Sequence, residues 1–221
     1  MRPHVPFVAC FALSTALLTG CAHSTKPVAY HDIESSGYLR PNAEAKGPHA
    51  LYTYASDVDW NAYQSFMMDP VVVYRGADAQ FGKVTEAEKG ELALYMDGQF
   101  VSRLKERYEL VSLPRTDTLR IRVTLTGAQR TTRFLSTFTK MDMGGGPINA
   151  VKSMTGGEGM FMGSVSYAVE VFDASSGKLL KAYVDKQYPN AMNFKASFGP
   201  LTASKTGIDK GAASFVGSLG R

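Results

Sequence analysis

Eight residues of strict alternation constrain this chain more than any other stretch. Leu119, Ile121, Val123 and Leu125 are apolar, and Arg120, Arg122, Thr124 and Thr126 between them are polar. A period of two is the repeat of a β-strand with one buried and one wet face, and no helix gathers such residues on one side. Ser164 to Phe172 repeats the pattern, with Val165, Tyr167, Val169 and Val171 pointing one way. Asp173-Ala174-Ser175-Ser176-Gly177-Lys178 then reads as a turn, and Leu179 to Tyr188 as the strand that returns. The sequence therefore predicts an antiparallel hairpin whose apolar face must be covered by something else.

Two stretches have helical spacing. Thr85-Glu86-Ala87-Glu88 has the form of a capping box, and the helix it opens is predicted to run to about Arg107. Leu92, Ala93, Met96, Phe100 and Leu104 share one arc of that helix, with Leu94 and Val101 beside it. Acids at its start and Arg103, Lys105 and Arg107 at its end suit the helix dipole. Gly98 costs about 1 kcal/mol relative to Ala, so the helix depends on packing. Near the C-terminus, Leu201, Ile208, Ala212, Phe215, Val216 and Leu219 also fall at helical spacing, with Gly207, Gly211 and Gly217 weakening the helix in isolation. Pro70 opens a short strand over Val71 to Tyr74, and Trp60, the only tryptophan, is expected to anchor the core. The fold class that follows is α+β: a mostly antiparallel sheet with helices packed on one face.

The N-terminus has a different character. Arg2 precedes an apolar run from Val5 to Leu18, too short for the about 20 residues of a membrane span. The run closes in Leu17-Leu18-Thr19-Gly20-Cys21. That pattern resembles the lipobox of bacterial lipoprotein signal peptides. The resemblance implies cleavage before Cys21 and attachment of diacylglycerol and fatty acid to it, so that the mature chain is held to a membrane by lipid. Residues 1–20 are read as signal peptide and 21–48 as a lipidated flexible tether, rich in Ser, Thr, Ala, Pro, Gly and His, within which Gly37-Tyr38-Leu39 is an apolar island able to dock. Residues 49–221 are read as one domain, interrupted by a Met/Gly-rich insertion at 131–163. The insertion, with Met141, Met143, Met154, Met160 and Met162 among its glycines, is expected to be the least rigid part and a contact surface.

Composition excludes several chemistries. Cys10 and Cys21 are the only cysteines, which leaves the domain without a disulfide, a thiolate metal site or a cysteine nucleophile. His4, His23, His31 and His49 all precede residue 50, so the domain is expected to lack histidine, and with it Ser-His-Asp catalysis and histidine metal sites. A formal net charge of +4, part of it Arg2, does not point to nucleic acid. No glycine run is followed by the Lys-Ser or Lys-Thr of a phosphate loop, and Asp57 and Asp59 lack the further ligands of a calcium loop. No cofactor, metal or catalytic residue is assigned. Glu170, Asp173 and Asp185, on or near one hairpin, are the carboxylates a hydrolase would use. Arg120 and Arg122, with Arg130 and Arg133 beyond them, form the face that could contact lipid A phosphates or peptidoglycan carboxylates.

Several pieces occur in a telling order: the Cys21 motif, Gly37-Tyr38-Leu39, Trp60 with Tyr63, Asp69-Pro70-Val71, a long helix, Leu119 to Thr126, and a hairpin with Glu170, Asp173, Ser176-Gly177 and Leu180-Lys181-Ala182-Tyr183-Val184-Asp185. Together they resemble the domain of unknown function 3313 family of bacterial lipoproteins. The resemblance implies an envelope location and brings no established activity. The expectation is a non-enzymatic outer-membrane lipoprotein facing the periplasm, bound to the membrane through Cys21 and to an envelope protein or glycan through its surface. Ala22 after the lipid cysteine agrees with the sorting rule of enteric lipoproteins, in which Asp there retains the protein in the inner membrane.

Overall fold

The computed structural model describes residues 26–45, 49–131, 163–189 and 199–220. Most of the Met/Gly-rich segment, including Arg133, and the residues around Cys21 lie outside them. The elements in chain order are β1 (Arg40–Pro41), β2 (Tyr52–Ala55), a 3-10 turn (Trp60–Ala62), β3 (Ser65–Met68) and β4 (Val72–Val73). Then come α1 (Glu86–Leu104), β5 (Glu109–Leu110), β6 (Thr118–Gln129), β7 (Ser164–Asp173), β8 (Leu179–Gln187) and α2 (Thr202–Ser218). Among the described residues the strands form one eight-stranded sheet in the order β1-β2-β8-β7-β6-β3-β5, with β4 also paired to β6.

The predicted hairpin is the centre of this sheet. β6, β7 and β8 are antiparallel, with Ile121 opposite Val171 and Val169 opposite Tyr183. Short β3 and β4 pair in parallel with β6, and β5 in parallel with β3. The sheet is therefore antiparallel on the β1 side and parallel beyond β6.

Both helices lie on one face. α1 opens with the capping box: the Thr85 hydroxyl accepts from the Glu88 amide at 3.3 Å, and Glu88 accepts from the Thr85 amide at 2.9 Å. Such a cap is worth about 0.5–2 kcal/mol. Leu92, Ala93, Met96, Phe100 and Leu104 are buried as the periodicity predicts, whereas Leu94 is 78% exposed. The helix stops one turn before Arg107. Phe100 is the hub, 5.8 Å from Tyr167 of β7 edge-on and 5.7 Å from Phe215 of α2. Trp60 packs at the rim of this core, half-buried, rather than inside it.

α2 rests on the sheet through its glycines. A Cβ at Gly207 would stand 2.9 Å from the Gln187 carbonyl oxygen, and one at Gly211 only 2.1 Å from Tyr167 Oη. The residues that weaken the isolated helix are those that let it lie close.

The second face of the sheet is also covered, which departs from the expected tether at 21–48 and domain start at 49. Tyr30 (1% exposed), Ile33 and Leu39 pack on Ala168, Ala182 and Val184, and Tyr30 meets Tyr74 edge-on at 5.1 Å. Residues 26–45 are a layer of the domain, because three spaced apolar side chains fill the back of β7 and β8. The Gly37-Tyr38-Leu39 island does dock: Leu39 is buried and Tyr38 lies against Tyr54 at 5.3 Å. Glu170 is 1% exposed under this layer and accepts from the Ser35 amide at 2.6 Å. The wet face expected for β7 is thus absent.

Candidate functional site

The helices do not reach the β2 edge of the sheet, and this shapes the site. Thr53 of β2 stands opposite Tyr183, and Ala55 opposite Lys181. Both β2 residues are small, so the sheet surface there is low, while Ser214 and Ser218 form the facing side of α2. Between them lies a largely apolar cavity of about 580 Å³, within the range of ligand-binding cavities.

Its floor is a buried carboxylate. Asp185 accepts hydrogen bonds from Tyr167 Oη (3.0 Å), Gln187 Nε2 (2.8 Å), the Ala50 amide (3.1 Å) and the Lys186 amide (2.9 Å), and pairs with His49 Nδ1 at 3.3 Å. Burial opposes its charge, but the bonds from His49, Gln187 and Ala50 outweigh burial and hold its pKa below the ordinary value. Burial, with the Asp185 charge beside it, pushes the Tyr167 hydroxyl well above its ordinary range. Asp185 also fastens the chain at Ala50, which has φ +46°.

Lys181 sits at one end of the cavity. Its Nζ donates to the Ser218 carbonyl oxygen at 2.9 Å and to Ser218 Oγ at 3.0 Å, and lies 5.9 Å from the centre of the Trp60 ring. Burial lowers its pKa. Beyond Lys181 a second hollow of about 420 Å³ is lined by Asp57, Asp59, Trp60 and Asn61. The two spaces share Ala55, Lys181 and Ser218 and so meet at the lysine.

Residues 29–215 match the family model described as Protein of unknown function (DUF3313). The chain belongs to this family. The match begins at residue 29, within the packed layer at 26–45. No curated protein matches the DUF3313 chain. Among solved structures it is similar to the PelC dodecamer from Paraburkholderia phytofirmans, at 8% identity and TM-score 0.37, over 69% of this chain and 87% of that one. It is also similar to protein XCC0632 from Xanthomonas campestris, described under DUF330, at 9% identity and TM-score 0.36, over 70% and 82%. A DUF4136 family protein (BT2437) from Bacteroides thetaiotaomicron matches at 15% identity and TM-score 0.34, over 76% and 94%. Likenesses this low establish neither fold nor function.

The residues singled out by sequence fall in several places on the DUF3313 domain. Arg120 and Arg122 come together on the Tyr30 side of the sheet, where both donate to Asp69, at 2.9 and 3.2 Å. Arg122 also pairs with Glu34 and lies over the Phe172 ring. Arg130 is elsewhere, 3.4 Å from Glu88 at the start of α1. Each described arginine of the set thus already has an acid, and a ligand would have to displace it.

The three hairpin acids do not converge. Glu170 is under the N-terminal layer, Asp185 is on the helix side, and Asp173 is in the turn, held by Ser175, Ser176 and the Tyr63 hydroxyl. Burial and Asp173 together push Tyr63 up to about 12.

The expectation of a domain without histidine is corrected. His31 pairs with Asp78 at 3.0 Å and His49 with Asp185, because the segment before residue 50 belongs to the fold. Asp185 is the hydrogen-bond partner of the His49 ring, and no hydroxyl nucleophile is bonded to that ring among the described residues. Nor do those residues contain a cluster of three metal-ligating side chains, or a helix long and apolar enough to cross a membrane. Lys181 was the residue missed. Its signal was present: alternation places Lys181, Tyr183 and Asp185 on the same face as Val169 and Val171, a polar strip where core was due.

Proposed function

We propose that this chain is a lipid-anchored protein of the outer membrane, facing the periplasm, whose domain is a non-enzymatic binding module for an envelope component. The observation that carries the binding reading is the open apolar cavity between β2, β8 and α2, with a lysine at its end. A domain that needed only to fold would gain about 25 cal/mol for each Å² of apolar surface it closed off. The Leu17-Leu18-Thr19-Gly20-Cys21 motif supports the anchor. The arginine face is a weaker candidate for the binding surface, since Asp69, Glu34 and Glu88 occupy it.

Cys21→Ser tests the anchor. The variant should be unprocessed or released from the membrane fraction, and mass spectrometry should find fatty acid on the wild-type chain alone. A variant still cleaved before residue 21 and still acylated would refute it. Crosslinking of the wild-type chain in whole envelopes, followed by recovery, tests the binding module. Recovery of the chain with nothing attached would count against it.

A further inference from the structure

Lys181 is a half-buried cation without an acid partner. Among the described residues no carboxylate lies within ion-pair reach of its Nζ, which is held by two neutral oxygens of Ser218. A cation drawn out of water is compensated poorly by neutral acceptors and well by an anion. Arg120, Arg122 and Arg130 have acid partners, whereas Lys210, which also lines this cavity, donates to the Tyr188 carbonyl oxygen at 3.2 Å.

The surroundings give the anion a context. On one side of Lys181 is the largely apolar 580 Å³ cavity, of a size that admits one acyl chain rather than two. On the other is the more polar 420 Å³ hollow with Asp57 and Asp59. Asp57 is exposed and its carboxylate makes no hydrogen bond or ion pair among the described residues, and the Asp59 carboxylate accepts only from the Asn61 amide, at 3.0 Å. The groove therefore runs from a largely apolar cavity, with Asp185 and Lys210 in its lining, to the Lys181 cation and then to the two acids. A fatty carboxylate would satisfy Lys181 but bring a third negative charge toward Asp57 and Asp59. A neutral sugar would leave the apolar cavity empty. A ligand that reads acyl chain, phosphate, ammonium matches all three parts in order.

Resting on the binding reading above, we propose that this groove binds a single-chain phospholipid with an amine head group. The acyl chain fills the cavity between β2 and α2, the phosphate meets Lys181 Nζ, and the ammonium meets Asp57 and Asp59 beside the Trp60 ring.

Trp60 is the only tryptophan and lies beside Lys181, so its fluorescence reports the site directly. The probes are lysophosphatidylethanolamine, lysophosphatidic acid, which lacks the ammonium, and an uncharged alkyl glucoside of equal chain length. Each is titrated below its micellar concentration into the full chain carrying Cys21→Ser, with native mass spectrometry as a second readout. Lysophosphatidylethanolamine should bind most tightly. Lys181→Met should weaken both phosphate lipids by about tenfold or more and leave the glucoside unchanged. Asp57→Asn should weaken the ethanolamine lipid and not lysophosphatidic acid. Thermal melts of the free variants show that each is folded.

The outcomes separate the two readings. Equal binding of the glucoside, indifferent to Lys181→Met, would overturn the head-group assignment and leave a cavity that binds acyl chains. Lysophosphatidic acid binding as tightly as the ethanolamine lipid would overturn the role of Asp57 and Asp59. No binding of any probe by either readout would overturn the inference, while a partner recovered by crosslinking in whole envelopes would leave the binding reading standing.

Discussion

Gly211→Ala places a methyl group where α2 has no room for it. Its Cβ would stand 2.1 Å from Tyr167 Oη, 2.8 Å from Cζ and 3.2 Å from Cε1. Tyr167 has no easy retreat: it is fully buried, edge-on to Phe100, with its hydroxyl bonded to Asp185. Overpacking a well-packed core costs about 1–3 kcal/mol. Tearing the hydroxyl from a charged acceptor costs roughly another 1.5–3 kcal/mol. Alanine returns about 1 kcal/mol of helix propensity. The net expectation is a loss of about 1.5–5 kcal/mol. Gly98→Ala is the control, since nothing lies within 4 Å of a Cβ there and the same propensity should stabilise α1 by up to about 1 kcal/mol. Urea unfolding of the two variants, followed by far-UV circular dichroism, should move the midpoints in opposite directions. Gly211→Ala as stable as wild type would mean that α2 does not lie on Tyr167, and the wall of the cavity would have to be redrawn.

Other outcomes follow from the covered face and the buried acids. Tyr30→Ala should cost about 3–5 kcal/mol, as for other large buried side chains, and an unchanged urea midpoint would return residues 26–45 to the status of a tether. Burial opposes the charges of Asp78, Asp173 and Asp185, but hydrogen bonds from Tyr74 and His31, from Ser175 and Ser176, and from His49 and Gln187 outweigh it and lower all three pKa values. A carboxylate with a lowered folded pKa stabilises the fold above its unfolded pKa of about 3.9, and loses that contribution as pH falls through the folded value. Stability should therefore be level near neutrality and drop below about pH 4, with a shallower drop in Asp173→Asn; stability that rises between pH 5 and pH 3 would contradict this.

The central hairpin and α1 were legible because each follows one rule without conflict. Leu119 to Thr126 alternates, and Thr85 with Glu88 caps a helix whose buried arc is regular. The rest was hidden for physical reasons. β4 was read from Pro70 and the β-branched run after it, but β2, β3 and β5 are two to four residues long, too short for a period to show, and they are placed by their partners β8, β6 and β3 rather than by a repeat of their own. Tyr30, Ile33 and Leu39 have no helical or strand repeat, so a segment that covers the second face of the sheet read as a linker. Arg120 and Arg122 alternate like a solvated face, and nothing local indicated that Asp69 and Glu34 would meet them. The polar strip of Lys181, Tyr183 and Asp185 was visible, but only as an error in an apolar pattern, and its meaning depended on where α2 stops.

The N-terminal layer changes the reach of the domain. A flexible tether from Cys21 to residue 48 would extend to about 95 Å when fully stretched. The chain is already packed at Lys26, whose carbonyl oxygen accepts from Gln80 Nε2 at 2.9 Å. Five residues span at most about 18 Å. If Cys21 carries the proposed lipid, the domain rests near the bilayer, and whatever it binds must come to, or out of, the membrane surface.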